Sequence, residues 1–116
     1  MHNEKFWQSL DKLVQESEIV IEHPKGSLFS KDELYTWPVD YGYLKGTKSS
    51  DNVEIDVFIG SNGVEIDAII CSVDLYKRDS EMKILVGCND TEKESIYKIY
   101  TEYYESLQGI IVHRQE

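Results

Sequence analysis

Acidic side chains that could bind a metal recur near the ends of the apolar segments of this sequence. Asp51 and Asp56 lie five residues apart, where a loop enters the apolar run IDVFI. A carboxylate within such a strand is costly to bury unless it is paired or binds a metal. Asp79 and Glu81 precede a later apolar run, and Glu22 ends an earlier one. Because Mg²⁺ prefers carboxylate oxygens, these residues are candidate magnesium ligands.

Basic and hydroxyl side chains supply candidate contacts to a phosphorylated ligand. Lys31 and Lys83 could neutralise phosphate oxygens, and the Tyr41 hydroxyl could donate a hydrogen bond to one. The chain has 22 acidic residues, so spacing alone does not distinguish any single carboxylate from one on a solvated surface. The pattern of residue types therefore indicates a metal and phosphate site only when the residues are considered together.

The segment 38–47, PVDYGYLKGT, combines aromatic residues with two glycines. Gly42 and Gly46 lie where a tight backbone turn would need a positive φ or a close approach. Together with Asp51 and Asp56, the segment resembles the pattern P-x-[ND]-Y-G-[YF]-x-x-G-T followed by D-x-D-P-x-D-V. That pattern is typical of family I soluble inorganic pyrophosphatases, and the resemblance is firmest over residues 37–57.

This resemblance implies a fold, a reaction and a set of site residues. The fold would be mainly β (α+β), a small closed OB-like β-barrel with an N-terminal and a C-terminal helix, formed by residues 1–116 as one domain. The reaction would be Mg²⁺-dependent hydrolysis of pyrophosphate or a related phosphoanhydride. The implied catalytic residues are Asp56, Tyr41 and Lys83. The implied substrate-binding residues are Lys31, Tyr41, Lys83 and Tyr104. The implied metal ligands are Asp51, Asp56, Asp79, Glu81 and Glu22.

The sequence departs from the family pattern at residues that matter for catalysis. Val53 replaces the aspartate that serves as general base, and Glu54 could substitute for it only if the loop bulges. Trp37 replaces a tyrosine, Glu105 replaces a lysine, and the phosphate-binding arginine has no counterpart. The alternative function is therefore a non-catalytic protein that binds a divalent metal or a phosphorylated ligand, or that acts through protein assembly.

Composition and charge narrow the classes of partner. The chain has 116 residues and a formal net charge of −10, which disfavours nucleic acids and anionic membranes because both are bound through Lys and Arg. An oligonucleotide-binding barrel would thus have the wrong charge. The N-terminus lacks the features of a signal peptide, so we expect a cytoplasmic protein. Cys71 and Cys88 lie in apolar runs and are expected to be reduced, and the many tyrosines make a homo-oligomer plausible.

Hydrophobic periodicity predicts two helices and a series of strands. The first helix carries an aromatic stripe that would dock on the domain or contact a partner subunit. The second begins at an Asn/Asp/Thr cap and is expected to end at Gly109. Ser61-Asn62-Gly63 is typical of a hairpin turn. The predicted helices are 3–16 and 89–109, and the predicted strands are 17–22, 41–44, 55–60, 64–75, 82–88 and 110–113.

Overall fold

A computed structural model describes residues 3–29 and 34–114. Two helices and six strands follow one another along the chain. Their bounds are α1 Glu4–Gln15, β1 Ile19–His23, β2 Asp40–Leu44, β3 Ile55–Ile59, β4 Ile66–Asp74, β5 Asp79–Val86, α2 Asp90–Ile99 and β6 Leu107–His113. The strands form one sheet in the order β1-β2-β3-β5-β4-β6. Strands β3 and β5 are parallel, and the other neighbours are antiparallel.

The sheet is open, which corrects the predicted closed OB-like barrel. Within the described ranges, β1 and β6 are its two edges and do not pair with each other. Both faces of the sheet are instead covered: Trp7 of α1 packs in one apolar cluster with Ile84, and Ile96 of α2 packs in the other with Leu85. Ile84 and Leu85, consecutive residues of β5, face the two opposite sides of the sheet. Because a helix covers each side, the apolar side chains are buried without closure of the sheet into a barrel. The mainly β composition with two helices is confirmed.

Helix α1 docks on the sheet, which is one of the two alternatives predicted for its aromatic stripe. Trp7 and Leu10 are buried, whereas Phe6 is almost half exposed. Arg114, just after β6, donates hydrogen bonds to both carboxylate oxygens of Asp11, at 3.0 and 3.1 Å, and thereby ties α1 to the end of the sheet. Asn3 caps the helix through its backbone carbonyl, without a side-chain hydrogen bond.

Helix α2 begins where predicted but ends ten residues earlier than Gly109. Asn89 and Glu92 form a reciprocal capping box at its start. After Ile99 the chain turns back, and Gly109 lies inside β6 rather than at a helix end. A Cβ at Gly109 would come 2.7 Å from the Tyr100 Cβ. This glycine therefore admits the buried Tyr100 ring, a tertiary contact that periodicity does not reveal.

The turn at Ser61-Asn62-Gly63 does not form a β-hairpin. Gly63 has the expected positive φ of 88°. However, the strands on either side of the turn, β3 and β4, are separated in the sheet by β5. The Asn62 N–H instead donates to the carbonyl of Gly87 at the end of β5, over 2.7 Å. The local turn prediction was correct, and the inferred strand pairing was wrong.

Other sequence predictions have simple outcomes. In the described part of the segment 25–37, one antiparallel bridge joins Leu28 and Thr36. Cys71 and Cys88 are free thiols, and Cys88 is buried. In the described part of the chain, no helix is long and apolar enough to cross a membrane.

Candidate functional site

Three neighbouring strands bring Tyr41, Asp56 and Lys83 into direct contact. Each lies on the sheet face that packs against α2, on β2, β3 and β5 respectively. The Tyr41 hydroxyl donates to Asp56 Oδ2 over 2.7 Å. Lys83 Nζ donates to the same oxygen over 2.7 Å and to the Tyr41 hydroxyl over 2.8 Å. The three residues predicted as catalytic thus form one closed hydrogen-bonded network.

Backbone geometry makes this approach possible. Gly42, next to Tyr41, faces the backbone of β1, and a Cβ there would overlap the carbonyl group of Val20. Gly46, at the end of the following turn, has a positive φ of 83°. The two glycines of the 38–47 segment therefore serve the two purposes predicted for them, a close approach and a left-handed turn.

The network is shielded from solvent, and this alters the ionisation of its members. Burial raises the pKa of Tyr41 well above its ordinary range, so the phenol stays protonated. For Lys83, burial alone would lower the pKa, but interactions with Tyr100, Tyr41 and Asp56 raise it on balance. The Lys83 side chain is only 10% exposed and ion-pairs with Asp56. Lys83 is accordingly a cation at neutral pH and cannot serve as a base.

A small acidic cleft lies beside the network. Lys83 Nζ also pairs with Glu81 Oε2 at 3.0 Å, and Glu81 faces the cleft together with Asp56. The cleft has a volume of about 20 Å³. It is lined by Ser49, Asp51, Val53, Glu54, Asp56, Glu81 and Met82. Four carboxylate side chains therefore border a space no larger than a single water molecule or ion.

Glu54 is a member of this site that the sequence pattern did not assign. It precedes Asp56 by two residues and lines the same cleft. Val53, which stands at the position of the family base, lines this cleft as well. The Val53 side chain is 55% exposed. The two-residue spacing to Asp56 was the signal available in the sequence.

Asp51 is engaged by its own loop. Its Oδ1 accepts hydrogen bonds from the Ser49 hydroxyl and from the Val53 N–H, the latter over 3.1 Å. These hydrogen bonds, that from Ser49 foremost, lower the pKa of Asp51. Asn52, between them, has a positive φ of 70°. The carboxylate therefore stabilises a tight turn at the mouth of the cleft.

The remaining predicted residues lie elsewhere or are not described. Asp79 opens β5 opposite Asp74, Glu22 lies exposed at an irregularity of β1, and Tyr104 follows α2 in the turn before β6. Among the described residues, none of these three lines the cleft. Lys31 falls outside the described ranges. The roles predicted for these four residues stay predictions.

The carboxylates do not form a ready metal site. The donor set has the right chemistry, since carboxylate oxygens suit Mg²⁺. Yet in residues 3–29 and 34–114, no three acidic, histidine or cysteine side chains converge on a point where they could hold a metal ion. Two of the best-placed carboxylates, those of Asp56 and Glu81, already pair with Lys83. Each pairing uses one oxygen of the carboxylate. The roles of Asp51, Asp56 and Glu81 as metal ligands therefore stay predictions.

An aromatic wall closes the other side of the network. Trp37 stacks between His23 and Tyr41, with ring centroids 5.0 and 4.4 Å away. Phe29 packs against the same indole at 4.4 Å. Trp37 thus packs against the Tyr41 ring and holds it in place. It keeps the aromatic ring of the tyrosine that it replaces in the family pattern, but not the hydroxyl.

The fold and the site define a class: small α+β proteins with a helix on each face of a mixed sheet and a buried Tyr–Asp–Lys network on three of its strands. The chain belongs to the inorganic pyrophosphatase family, whose model, described as Inorganic Pyrophosphatase, matches residues 7–113. No match was found among curated proteins.

Solved structures support the fold. The chain is similar to an inorganic phosphatase from Anaplasma phagocytophilum and to the inorganic pyrophosphatase of Helicobacter pylori, each with a TM-score of 0.58, 14% identity and coverage of 82% of this chain and 81% of the other. It is also similar to an inorganic pyrophosphatase from Coxiella burnetii, with a TM-score of 0.51, 13% identity and 82% coverage of both chains. At these identities the likeness concerns the fold.

Proposed function

We propose that this protein hydrolyses pyrophosphate or a related phosphoanhydride, slowly, and that Mg²⁺ takes part as the cation that accompanies the substrate. The observation that carries the proposal is the Tyr41–Asp56–Lys83 network, in a chain whose match to the pyrophosphatase family extends from residue 7 to residue 113. All three of its residues stand at matching positions of the family pattern.

The charge of the molecule supports a substrate that arrives with a cation. The chain carries a formal net charge of −10, and four carboxylates border the cleft. A free phosphoanhydride is itself polyanionic and would be repelled by such a surface. A complex with Mg²⁺ has less negative charge, since the metal bridges phosphoryl oxygens and neutralises them.

The chain's own residues can be given specific roles in this reaction. Lys83 supplies the buried positive charge beside the cleft, and Asp56 and Tyr41 hold its ammonium group in position. Glu54 is the carboxylate we assign as general base for the attacking water, because Val53 has no group that accepts a proton. Lys31 and Tyr104 remain candidate phosphate contacts.

A second function is favoured by a different observation. Val53 occupies the position of the family base, and among the described residues no group of three potential ligands converges on a metal. A protein with these losses could bind a phosphorylated ligand without turning it over. Glu105 replaces a lysine of the family pattern. This change puts a negative charge where the family has a positive one, which disfavours the binding of an anionic substrate.

The deciding experiment measures phosphate release from pyrophosphate with and without Mg²⁺. Asp56→Asn should abolish Mg²⁺-dependent release, whereas Asp67→Asn is the matched control, because Asp67 also pairs with a lysine but lies outside the cleft. Release unaffected by Asp56→Asn would refute the assignment. No release, with a melting temperature that still rises when Mg²⁺ and pyrophosphate are added together, would support the binding protein. No release and no shift would reject both functions.

The base assignment is tested in the same assay. Glu54→Gln should lower turnover by about 10²- to 10⁴-fold, the usual contribution of a general base. Glu65→Gln alters an exposed glutamate outside the cleft and should leave turnover unchanged. An equal effect of the two substitutions would contradict the role given to Glu54.

A further inference from the structure

Strand β6 is an edge of the sheet, and several of its outward backbone groups lack a hydrogen-bond partner among the described residues. The Arg114 N–H donates to the Asp67 carbonyl, in line with the continuous register between β6 and β4. Because bonded residues alternate in an antiparallel pair, the N–H and C=O groups of Gly109, Ile111 and His113 point away from β4. In the part of the chain that the structure describes, no group hydrogen-bonds to these outward groups. They can therefore pair with a further strand.

Strand β6 lacks the features that usually protect an edge strand. The segment Leu107–His113 reads LQGIIVH and contains no proline and no Asp, Glu, Lys or Arg. The other described edge, β1, carries Glu22 and has an irregular register between Ile21 and His23, and both features hinder pairing with a further strand. The side chain of Ile110, in the middle of β6, is 61% exposed. Of the two described edges, β6 is thus the one that is open to pairing.

Apolar surface continues from this edge onto the sheet face that α1 covers in part. Ile110 lies opposite Cys71 of β4, which in turn lies opposite Met82 of β5. Val73, two residues beyond Cys71 on the same face, is 51% exposed. Clefts of about 930 and 500 Å³ open along the edge, and both are lined by Tyr97 and Ile110. A strand placed beside β6 would therefore contact apolar side chains as well as the backbone of the edge.

The edge is complementary to itself. Ile110 is the central residue of β6, so a two-fold axis at this residue would pair the strand antiparallel with the same strand of a second copy. The Gly109 N–H would then donate to the carbonyl of Ile111 of the partner subunit, and the two Ile110 side chains would face each other. Each chain has a net charge of −10, but the strand itself is uncharged, so the contact places no like charges directly opposite each other.

We propose that two copies of this chain form a dimer through antiparallel pairing of their β6 strands, centred on Ile110. The dimer has one continuous sheet of twelve strands, six from each copy. The two-fold axis is perpendicular to this sheet, so both α2 helices lie on one face and both α1 helices on the other. Strand β4 separates the edge from the strands that carry Tyr41, Asp56 and Lys83, so the dimer is independent of the proposed hydrolysis.

Sedimentation velocity measures the oligomeric state of the wild-type protein, Ile110→Lys and Ile21→Lys. The wild type should sediment as a dimer, and Ile110→Lys as a monomer at the same concentration, because two ammonium groups would face each other at the axis. Ile21→Lys is the matched control, since it makes the same change at a 40% exposed isoleucine in the middle of the other edge strand. This control should remain a dimer. A monomeric wild type would overturn the proposal, as would a dimer that persists in Ile110→Lys or is lost in Ile21→Lys.

A cross-link tests the register and decides the matter if Ile110→Lys does not fold. The two residues at the axis would form a non-hydrogen-bonded pair with Cα atoms about 4.5 Å apart, which is within reach of a disulfide. Ile110→Cys should therefore form a covalent dimer with oxidised glutathione, in a Cys71→Ser background that removes the neighbouring thiol. Val73→Cys in the same background lies one strand further from the axis and should remain monomeric on a non-reducing denaturing gel. Absence of the cross-link in Ile110→Cys, or equal cross-linking of the two variants, would show that β6 does not pair in this way.

Discussion

The carboxylate of Glu92 binds the backbone N–H of Ser61, a residue that lies 31 positions earlier in the chain, with oxygen–nitrogen distances of 3.2 and 3.1 Å. The same side chain accepts a hydrogen bond from the N–H of Asn89, over 2.9 Å, in the capping box of α2. One buried glutamate therefore fixes the start of α2 to the turn that follows β3. This contact holds the helix that covers the face of the sheet on which Lys83 lies.

Replacing this glutamate should destabilise the protein. Glu92→Ala removes the acceptor of two backbone N–H groups, and leaving partly buried donors unsatisfied costs about 1–3 kcal/mol. Urea unfolding followed by circular dichroism measures the change in the free energy of unfolding. Glu94→Ala on the same helix alters an exposed residue and should have an effect within about 0.5 kcal/mol. Equal losses for the two variants would show that helix propensity, and not the contact with Ser61, is responsible.

The contribution of Glu92 should depend on pH. Burial alone would raise the pKa of Glu92, but the hydrogen bonds from Asn89 and Ser61 lower it on balance. A carboxyl group whose folded pKa is lowered stabilises the protein above its unfolded pKa of about 4.3 and loses that contribution as the pH falls through the folded value. The difference in stability between wild type and Glu92→Gln should therefore be constant from about pH 7 to 5 and should shrink below about pH 4. A difference that grows on acidification would contradict the sign.

Gly42 should tolerate no side chain. A Cβ at this position would overlap the Val20 carbonyl, so Gly42→Ala has to push β1 away from β2. We expect a loss of more than about 2 kcal/mol in the free energy of unfolding, as for other overpacked sites. Gly46→Ala is an informative comparison, because a Cβ there meets no atom within 4 Å and only the positive φ of 83° is strained. Its cost should be about 1 kcal/mol. The reverse order of the two losses would refute the packing argument.

Val53 offers a direct test of what limits catalysis. It lines the acidic cleft with a 55% exposed side chain, at the position of the family base. Val53→Asp should raise phosphate release from pyrophosphate about tenfold, which is less than the roughly 10²- to 10⁴-fold contribution of a sole general base, because Glu54 already has that role. Val64→Asp places the same charge at a valine that is 84% exposed and outside the cleft, and it should leave turnover unchanged. No gain in folded Val53→Asp would show that another departure from the family pattern limits the rate.

The features that the sequence determined by itself are local ones. The start of α2 follows from Asn89 and Glu92, which satisfy each other's backbone groups within one turn of helix. The left-handed conformations of Gly46 and Gly63 likewise follow from adjacent residues. The types of residue in the site were also apparent, because Tyr41, Asp56 and Lys83 stand in a recognisable family pattern.

The tertiary structure alone decided which distant groups meet. Asp56 and Lys83 are 27 residues apart, and their contact depends on β5 lying beside β3, where the turn at Gly63 suggested β4. The open sheet and the contact between Tyr100 and Gly109 also depend on how the strands pack. A sequence shows that a carboxylate and an ammonium are present, but only the pairing of strands brings them close enough for each to neutralise the other.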